Sequence, residues 1–191
     1  MNILFLNGPP NSGKDTIAEY LESNYGYKHL RFKDTLYKLT ALLNNYDYNE
    51  FYKTANDRNL KDSKKLRRDK TARELLIETS EVVVKPVYGK EYFAKATLLD
   101  IVNDNEYKNF VISDCGFQEE YDFIADSSYD HYNVNLYFIS LTRPDCNFNN
   151  DSRNYVNPDP LHTTSTIIVN DSNLDDLLTM VDDFVKEFKD E

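Results

Sequence analysis

Tryptophan is absent, and five glycines serve all 191 residues. That scarcity marks each glycine, because glycine is the default residue where a backbone turns tightly or approaches another group. Cysteine is nearly absent too. Cys115 and Cys146 are too few for a disulfide framework or a cysteine zinc site, which predicts a reduced, cytoplasmic setting. Cys115 reads as a small core residue. No apolar run approaches the ~20 residues that cross a bilayer, and the start lacks the basic segment of a secretory signal. No membrane partner is expected. Lysine and arginine number 22 against 33 acids, a formal charge of −11. Non-specific nucleic-acid binding needs many cations facing the phosphate backbone, so nucleic acid is not an expected partner. Any anionic ligand must find cations gathered locally. Acids crowd the end of the chain (Asp175, Asp176, Asp182, Asp183, Glu187, Asp190, Glu191), which reads as a solvated face.

What is present concentrates at the start. The apolar run Ile3-Leu4-Phe5-Leu6 feeds Asn7-Gly8-Pro9-Pro10-Asn11-Ser12-Gly13-Lys14-Asp15-Thr16. Gly8 and Gly13 stand at phosphate-loop spacing with Lys14 directly after. Such a loop turns backbone N–H groups around phosphate oxygens. The helix that follows aims its positive end at the same place, and Lys14 adds a full charge. The candidate nucleotide-binding residues are Gly8, Asn11, Ser12, Gly13, Lys14, Asp15 and Thr16. The position after the lysine is usually Ser or Thr, whose hydroxyl touches Mg²⁺. Here it is Asp15, a carboxylate able to hold the cation directly or through water, with Thr16 next.

Hydrophobic periodicity predicts alternating strands and helices. A helix is expected over residues 14–23, a strand over 27–32, a helix through Leu36, Leu39, Thr40 and Leu43, and irregular chain over 45–70. Thr71-Ala72-Arg73-Glu74 is a capping box. A helix over 90–103, strands over 109–114, 135–141 and 166–169, and a last helix striped by Leu174, Leu177, Leu178, Val181, Phe184, Val185 and Phe188 complete the pattern. The alternation predicts an α/β fold with a parallel five-stranded sheet flanked by helices. Ligands on such sheets sit at the carboxyl ends of strands.

Two further groups fall near those ends. Val111-Ile112-Ser113-Asp114 is an apolar strand ending in an acid, the pattern that positions Mg²⁺ or its waters in phosphate-loop proteins. Gly116 follows two residues on. Residues 143–160 hold three prolines and no apolar period, which predicts a mobile lid whose Arg143 and Arg153 neutralise a transferring phosphoryl group. Six cations lie within residues 61–70; one or two cations of the stretch 61–73, Arg73 in its capped helix first among them, are with Lys33 the candidates for an acceptor's phosphate. Tyr88 and Tyr92 are candidates for stacking on a base. His29 in a strand, His131 in a tyrosine-rich turn and His162 after the lid are poor catalytic candidates, although His162 could touch substrate.

Together these stretches resemble the phage-type deoxynucleoside monophosphate kinases, within the P-loop nucleoside monophosphate kinase group. The resemblance rests on Gly8 to Thr16, on Ala72-Arg73-Glu74-Leu75-Leu76, on Lys85 to Gly89 with Tyr92 to Ala96, and on Val111 to Phe117 with Glu119 and Glu120. It implies a three-layer P-loop kinase fold: a core over 1–32, 98–142 and 161–191, a helical acceptor-binding insertion over 33–97, and a lid over 143–160. It implies transfer of the γ-phosphoryl of ATP to a deoxynucleoside monophosphate, with Mg²⁺ at Asp15, Thr16 and Asp114, in a monomer or homodimer of the (host) cytoplasm. Lys14, Arg143 and Arg153 are its catalytic cations. Lys33, Arg73, Glu78, Tyr88, Tyr92, Asp114 and Gly116 are its acceptor-side positions. Where many relatives carry arginine before Phe117, this chain has Gly116, which removes an acceptor contact or moves it elsewhere. Where they often carry glutamine after Arg73, it has Glu78, and an acid there can change base preference. The rival readings are a kinase of phosphomevalonate or a nucleoside, and an inactive P-loop binding protein. A nucleic-acid-dependent ATPase is disfavoured by charge and size.

Overall fold

The structure is a computed structural model that describes residues 1–57, 59–131, 134–149 and 151–187. By internal contacts the chain divides into two compact units, Met1–Arg31 with Leu98–Glu191, and Phe32–Thr97.

The first unit is built on five strands: β1 (Asn2–Asn7), β2 (Lys28–Leu30), β3 (Asn109–Cys115), β4 (Asn135–Thr142) and β5 (Thr163–Val169). They run parallel in the order β2-β3-β1-β4-β5. The expected α/β fold with a five-stranded parallel sheet flanked by helices is therefore the fold observed. Period-2 alternation splits β1 between two faces. Leu4 and Leu6, with Val111, Ile139, Leu141 and Ile168, pack against Ile17, Ala18 and Leu21 of α1 (Lys14–Tyr25) and Leu177, Val181, Phe184 and Val185 of α8 (Leu174–Lys186). Phe5 turns to the other face. Its ring lies 5.3 Å from Tyr121 of α7 (Gln118–His131) and 6.2 Å from Phe138. Each fully buried side chain of this size contributes about 1.5–3 kcal/mol. The pairing Asn7↔Cys115 makes β1 and β3 end level, and β4 runs two residues past the Asn7↔Ser140 pairing to Thr142, so the segments leaving them share one edge.

The second unit is helical. It contains α2 (Phe32–Leu43), α3 (Tyr48–Asn56), α4 (Ala72–Ile77), a π-helical stretch Glu78–Val84, α5 (Lys85–Tyr88) and the start of α6 (Tyr92–Val102). Tyr37, Ala41, Phe51, Ala55, Ala72, Leu75 and Leu76 form its core. The capping box read from Thr71 and Glu74 is present in both directions.

Several expectations are corrected. The strand over 27–32 shrinks to three residues, because Phe32 already opens α2 and is buried there. The supposedly irregular stretch 45–70 contains α3, capped by Asp47, whose carboxylate accepts from the Glu50 N–H at 3.0 Å. Helix α7 was not anticipated at all. The backbone of His131 ends α7 rather than making a turn. Leu174 is exposed rather than part of the buried stripe, and Phe188 lies outside the described residues. Asp182 is more than a solvated acid: the hydroxyls of Tyr20 and Tyr25 donate to it at 2.8 and 2.6 Å. Among the described residues, no helix is long and apolar enough to cross a membrane.

Tyr121 ties α7 to the sheet. Its hydroxyl lies 2.7 Å from Thr163 Oγ1 and accepts from the Asp159 N–H at 3.1 Å. Tyr121→Phe removes both contacts while keeping the ring. It is expected to lower stability by about 1–3 kcal/mol, read as a shift in the urea midpoint with an unchanged slope.

Candidate active site

Residues 8–13 leave the carboxyl end of the central strand and turn into α1. Gly8 lies so close to β4 that a Cβ there would sit 2.5 Å from the Leu141 carbonyl oxygen. Gly13 caps α1 at φ 112°, a left-handed conformation that side chains resist. Asn11 also takes a left-handed φ of 67°. Two outside groups hold the loop. Asn170, buried at the end of β5, donates from Nδ2 to the Ser12 carbonyl at 2.9 Å, and Arg143 donates to the Asn11 carbonyl at 3.2 Å.

Lys14 points into this loop. Its Nζ donates to the carbonyls of Gly8 and Pro9 at 2.6 and 2.7 Å and approaches Ser12 Oγ at 3.4 Å. The side chain is buried, and desolvation lowers the ammonium pKa to about 8. The charge of Arg153 pushes the same way, while Asp15, Asp114 and Asp151 oppose it. The acids therefore keep a buried lysine from losing its proton entirely.

Asp15 and Thr16 are exposed in the first turn of α1, whereas Asp114 is buried near the end of β3. Ser113 connects the two elements: its hydroxyl donates to Asp15 Oδ1 at 3.2 Å and lies 2.7 Å from His29 Nε2. Burial first, and the nearby Arg31 charge second, lower the His29 pKa, which keeps its imidazole neutral at pH 7. Among the described residues, no three His, Cys, Asp or Glu side chains converge as a metal cage. Asp15 and Asp114 nonetheless suit Mg²⁺, which is usually held by one or two carboxylates together with waters and substrate phosphates.

The 143–160 segment has neither helix nor strand among its described residues, yet part of it is firmly fastened. Asn7, fully buried, donates from Nδ2 to the carbonyls of Cys115 and Asn154 at 2.8 and 3.0 Å and accepts from the Val156 N–H at 3.2 Å. Gln118 pairs in both directions with the Asn157 backbone, and the Asn154 N–H donates to Gly116 at 2.9 Å. Phe148 meets Tyr155 edge to face at 5.0 Å. These ties oppose the mobility expected for residues 151–157. Above Gly116 lies the stem of Arg153, whose Cβ, Cγ and Cδ come within 2.7–2.8 Å of where a Cβ would be. A side chain at 116 and Arg153 in this place exclude one another.

The structure thus brings Gly8, Asn11, Ser12, Gly13, Lys14, Asp15, Asp114, Gly116, Arg143 and Arg153 to one edge of the first unit. The other sequence candidates lie in the second unit. Arg73 pairs with Asp62 through Nε and, at 3.2 Å, through a second nitrogen. Lys33 is half-buried in the first turn of α2. The rings of Tyr88 and Tyr92 lie against each other, centroids 5.2 Å apart. Glu78 opens the π-helical stretch and pairs with Arg68 at 2.7 Å and Lys70 at 2.9 Å. It lines a cavity of about 460 Å³ together with Leu43, Asn44, Arg68, Thr79 and Val83. His162 is exposed, 3.8 Å from Asp159, and the side chain of His131 lies outside the described residues. Sequence reading missed Asn7, Ser113, Asp151 and Asn170. Asn7 had a signal, an amide closing an otherwise apolar strand.

No protein-family model and no curated protein matches the chain.

Gly116→Ala is expected to force the Arg153 stem aside. Overpacking of this kind costs about 1–3 kcal/mol, measurable by urea unfolding. The substitution in an Arg153→Gly background, where Cβ, Cγ and Cδ are all gone, should be nearly neutral.

Proposed function

We propose that the protein is an ATP-dependent kinase that phosphorylates a deoxynucleoside 5′-monophosphate to the diphosphate. The observation that carries this reading is the glycine loop at the end of the central strand, with Lys14 turned into it and Asp114 and Arg153 coupled electrostatically to that lysine. A βα loop of this kind, opening a helix at a strand's carboxyl end, is a triphosphate cradle.

In this reading Lys14 exchanges its loop carbonyls for the β- and γ-phosphates. An oxygen of the acceptor phosphate attacks the γ-phosphorus, and the bond from that phosphorus to the β–γ bridging oxygen breaks. ADP then leaves. The attacking oxygen is already anionic, so no general base is required and catalysis is positioning plus charge neutralisation. Lys14, Arg143 and Arg153 supply the charge. Asp15 and Asp114 would hold Mg²⁺, with Thr16 as a further oxygen in the same turn; the bound ion neutralises phosphate charge. Lys33, Arg73 and Glu78, with Tyr88 and Tyr92, are the acceptor-side groups, and the cavity that Glu78 lines has the mixed apolar and polar walls a nucleobase needs.

The reading is tested by ADP release with ATP, Mg²⁺ and each common deoxynucleoside and ribonucleoside monophosphate in turn. Turnover is expected with at least one deoxynucleotide, and Lys14→Ala should lower it by about 10³ or more with an unchanged fold. Near-normal turnover in that variant, or none with any monophosphate in the wild type, sinks the proposal.

The buried lysine adds a pH signature. Lys14 is half deprotonated near pH 8 in the protein alone, and only the ammonium attracts phosphate. Bound ATP favours the charged form and raises its pKa, so affinity is full below about 8 and falls by up to about tenfold per pH unit above it. Calorimetric titration of ATP from pH 7 to pH 10 should show that decline. Lys14→Arg, which stays charged throughout, should abolish it.

A further inference from the structure

Arg153 is held in an unusual way. Asp151, two residues earlier, takes the Nε–H of the guanidinium on Oδ1 at 2.9 Å and an NH2 hydrogen on Oδ2 at 2.7 Å. The same Oδ1 accepts the Arg153 backbone N–H at 3.0 Å. This side-on clasp uses one edge of the planar fork. The end-on edge, made of both terminal nitrogens, keeps its donors in the geometry that grips two phosphate oxygens at once.

The clasp is one of three restraints. The arginine stem lies over Gly116, where no side chain could share the space. The next residue, Asn154, donates its N–H to the Gly116 carbonyl at 2.9 Å and offers its own carbonyl to Asn7 at 3.0 Å. The side chain is partly buried, and the guanidinium interacts electrostatically with Lys14, Asp114 and Asp15. An arginine normally has about 2 kcal/mol of rotamer entropy to lose on gripping a ligand; here the fold has removed most of that freedom in advance.

We propose that Asp151 is a positioning residue for phosphoryl transfer, which fixes Arg153 over Gly116 with its end-on edge presented to the transferring group. Arg153 is thereby built into the site before substrate arrives instead of being delivered by a closing lid. The assignment rests on the kinase reading for its catalytic consequence, but the clasp itself is independent of that reading. A preset cation acts on the charge that spreads over the γ-phosphoryl oxygens in the transition state. The loop around Lys14 carries ground-state binding of ATP. Removing the clasp should therefore lower kcat and leave ATP affinity nearly intact.

The test is a double-mutant cycle on the full chain. Asp151→Asn is expected to reduce kcat by about 10–100-fold, the range that a misplaced catalytic group brings, with the ATP Kd within about twofold. In an Arg153→Ala background the same substitution should change kcat by less than about twofold, because its target is gone. An equal loss in both backgrounds, or no loss in either, overturns the proposal. A second readout needs no turnover. The side-chain Nε–H resonance of Arg153, identified by its loss in Arg153→Ala, should be protected from exchange in the wild type and unprotected in Asp151→Ala, which removes the accepting oxygen. An unprotected resonance in the wild type overturns the clasp. If that resonance is protected and depends on Asp151 while no monophosphate is turned over, the kinase reading fails and the clasp stands. If turnover is robust and Asp151→Asn leaves it unchanged, the reverse holds.

Discussion

A parallel sheet ends in a row of backbone groups that no further strand can pair, and a buried group left without a partner costs about 1–3 kcal/mol. In this protein one amide, Asn7, settles one of them, the Cys115 carbonyl, together with two backbone groups of the segment that crosses the carboxyl ends of the strands. It joins the end of β1 to Cys115 on β3 and to Asn154 and Val156 of the segment that crosses above. Gly116, Arg153 and Asp151 stand where they do because that crossing segment is moored. The glycine loop begins at the very next residue, so the two halves of the candidate site share one anchor.

Electrostatics on this edge work against the character of the whole chain. With a formal charge of −11, the molecule repels anions at long range, and any attraction must be short-ranged and local. The response is burial. Lys14 is buried and Arg153 partly buried, where solvent screening is reduced, and each is kept near acids: Arg153 by Asp151, and Lys14 by Asp15 and Asp114. Those acids limit the mutual repulsion of the two cations. They also provide the hard oxygen atoms that a divalent ion prefers, so one set of carboxylates serves the folded protein and, in the proposed reaction, the metal.

The parts that were legible in the sequence are those governed by local rules. Gly8, Gly13 and Lys14 follow a spacing that backbone sterics demand, and the Thr71–Glu74 box is a contact between neighbours in sequence. The helix α7 escaped notice because its buried face is built from Glu120, Tyr121, Ile124, Ala125 and Ser128, a stripe of helical period but low hydropathy. The helix α3 was hidden among tyrosines and asparagines, although Asp47 and the spacing of Phe51, Thr54 and Ala55 were a usable signal. Gly116 was marked as informative, but its reason was not visible: the neighbour that forbids a side chain is 37 positions away in sequence. Long-range contacts of this sort leave no periodicity and no motif. The same holds for Asn170 with Ser12 and for Ser113 between His29 and Asp15.

The carbonyl grip on Lys14 sets an admission threshold. Its ammonium already holds two backbone carbonyls at 2.6 and 2.7 Å, so an incoming anion must offer more than it displaces. Chloride or acetate, with a single charge and few acceptor atoms, gains too little to pull the lysine away. In the proposed function, a polyanion with several oxygens clustered on adjacent phosphorus atoms is the ligand that gains enough. On that reading the loop is buffered against the common salts of its surroundings, and its occupancy would follow the supply of multiply charged ligands instead of the ionic background.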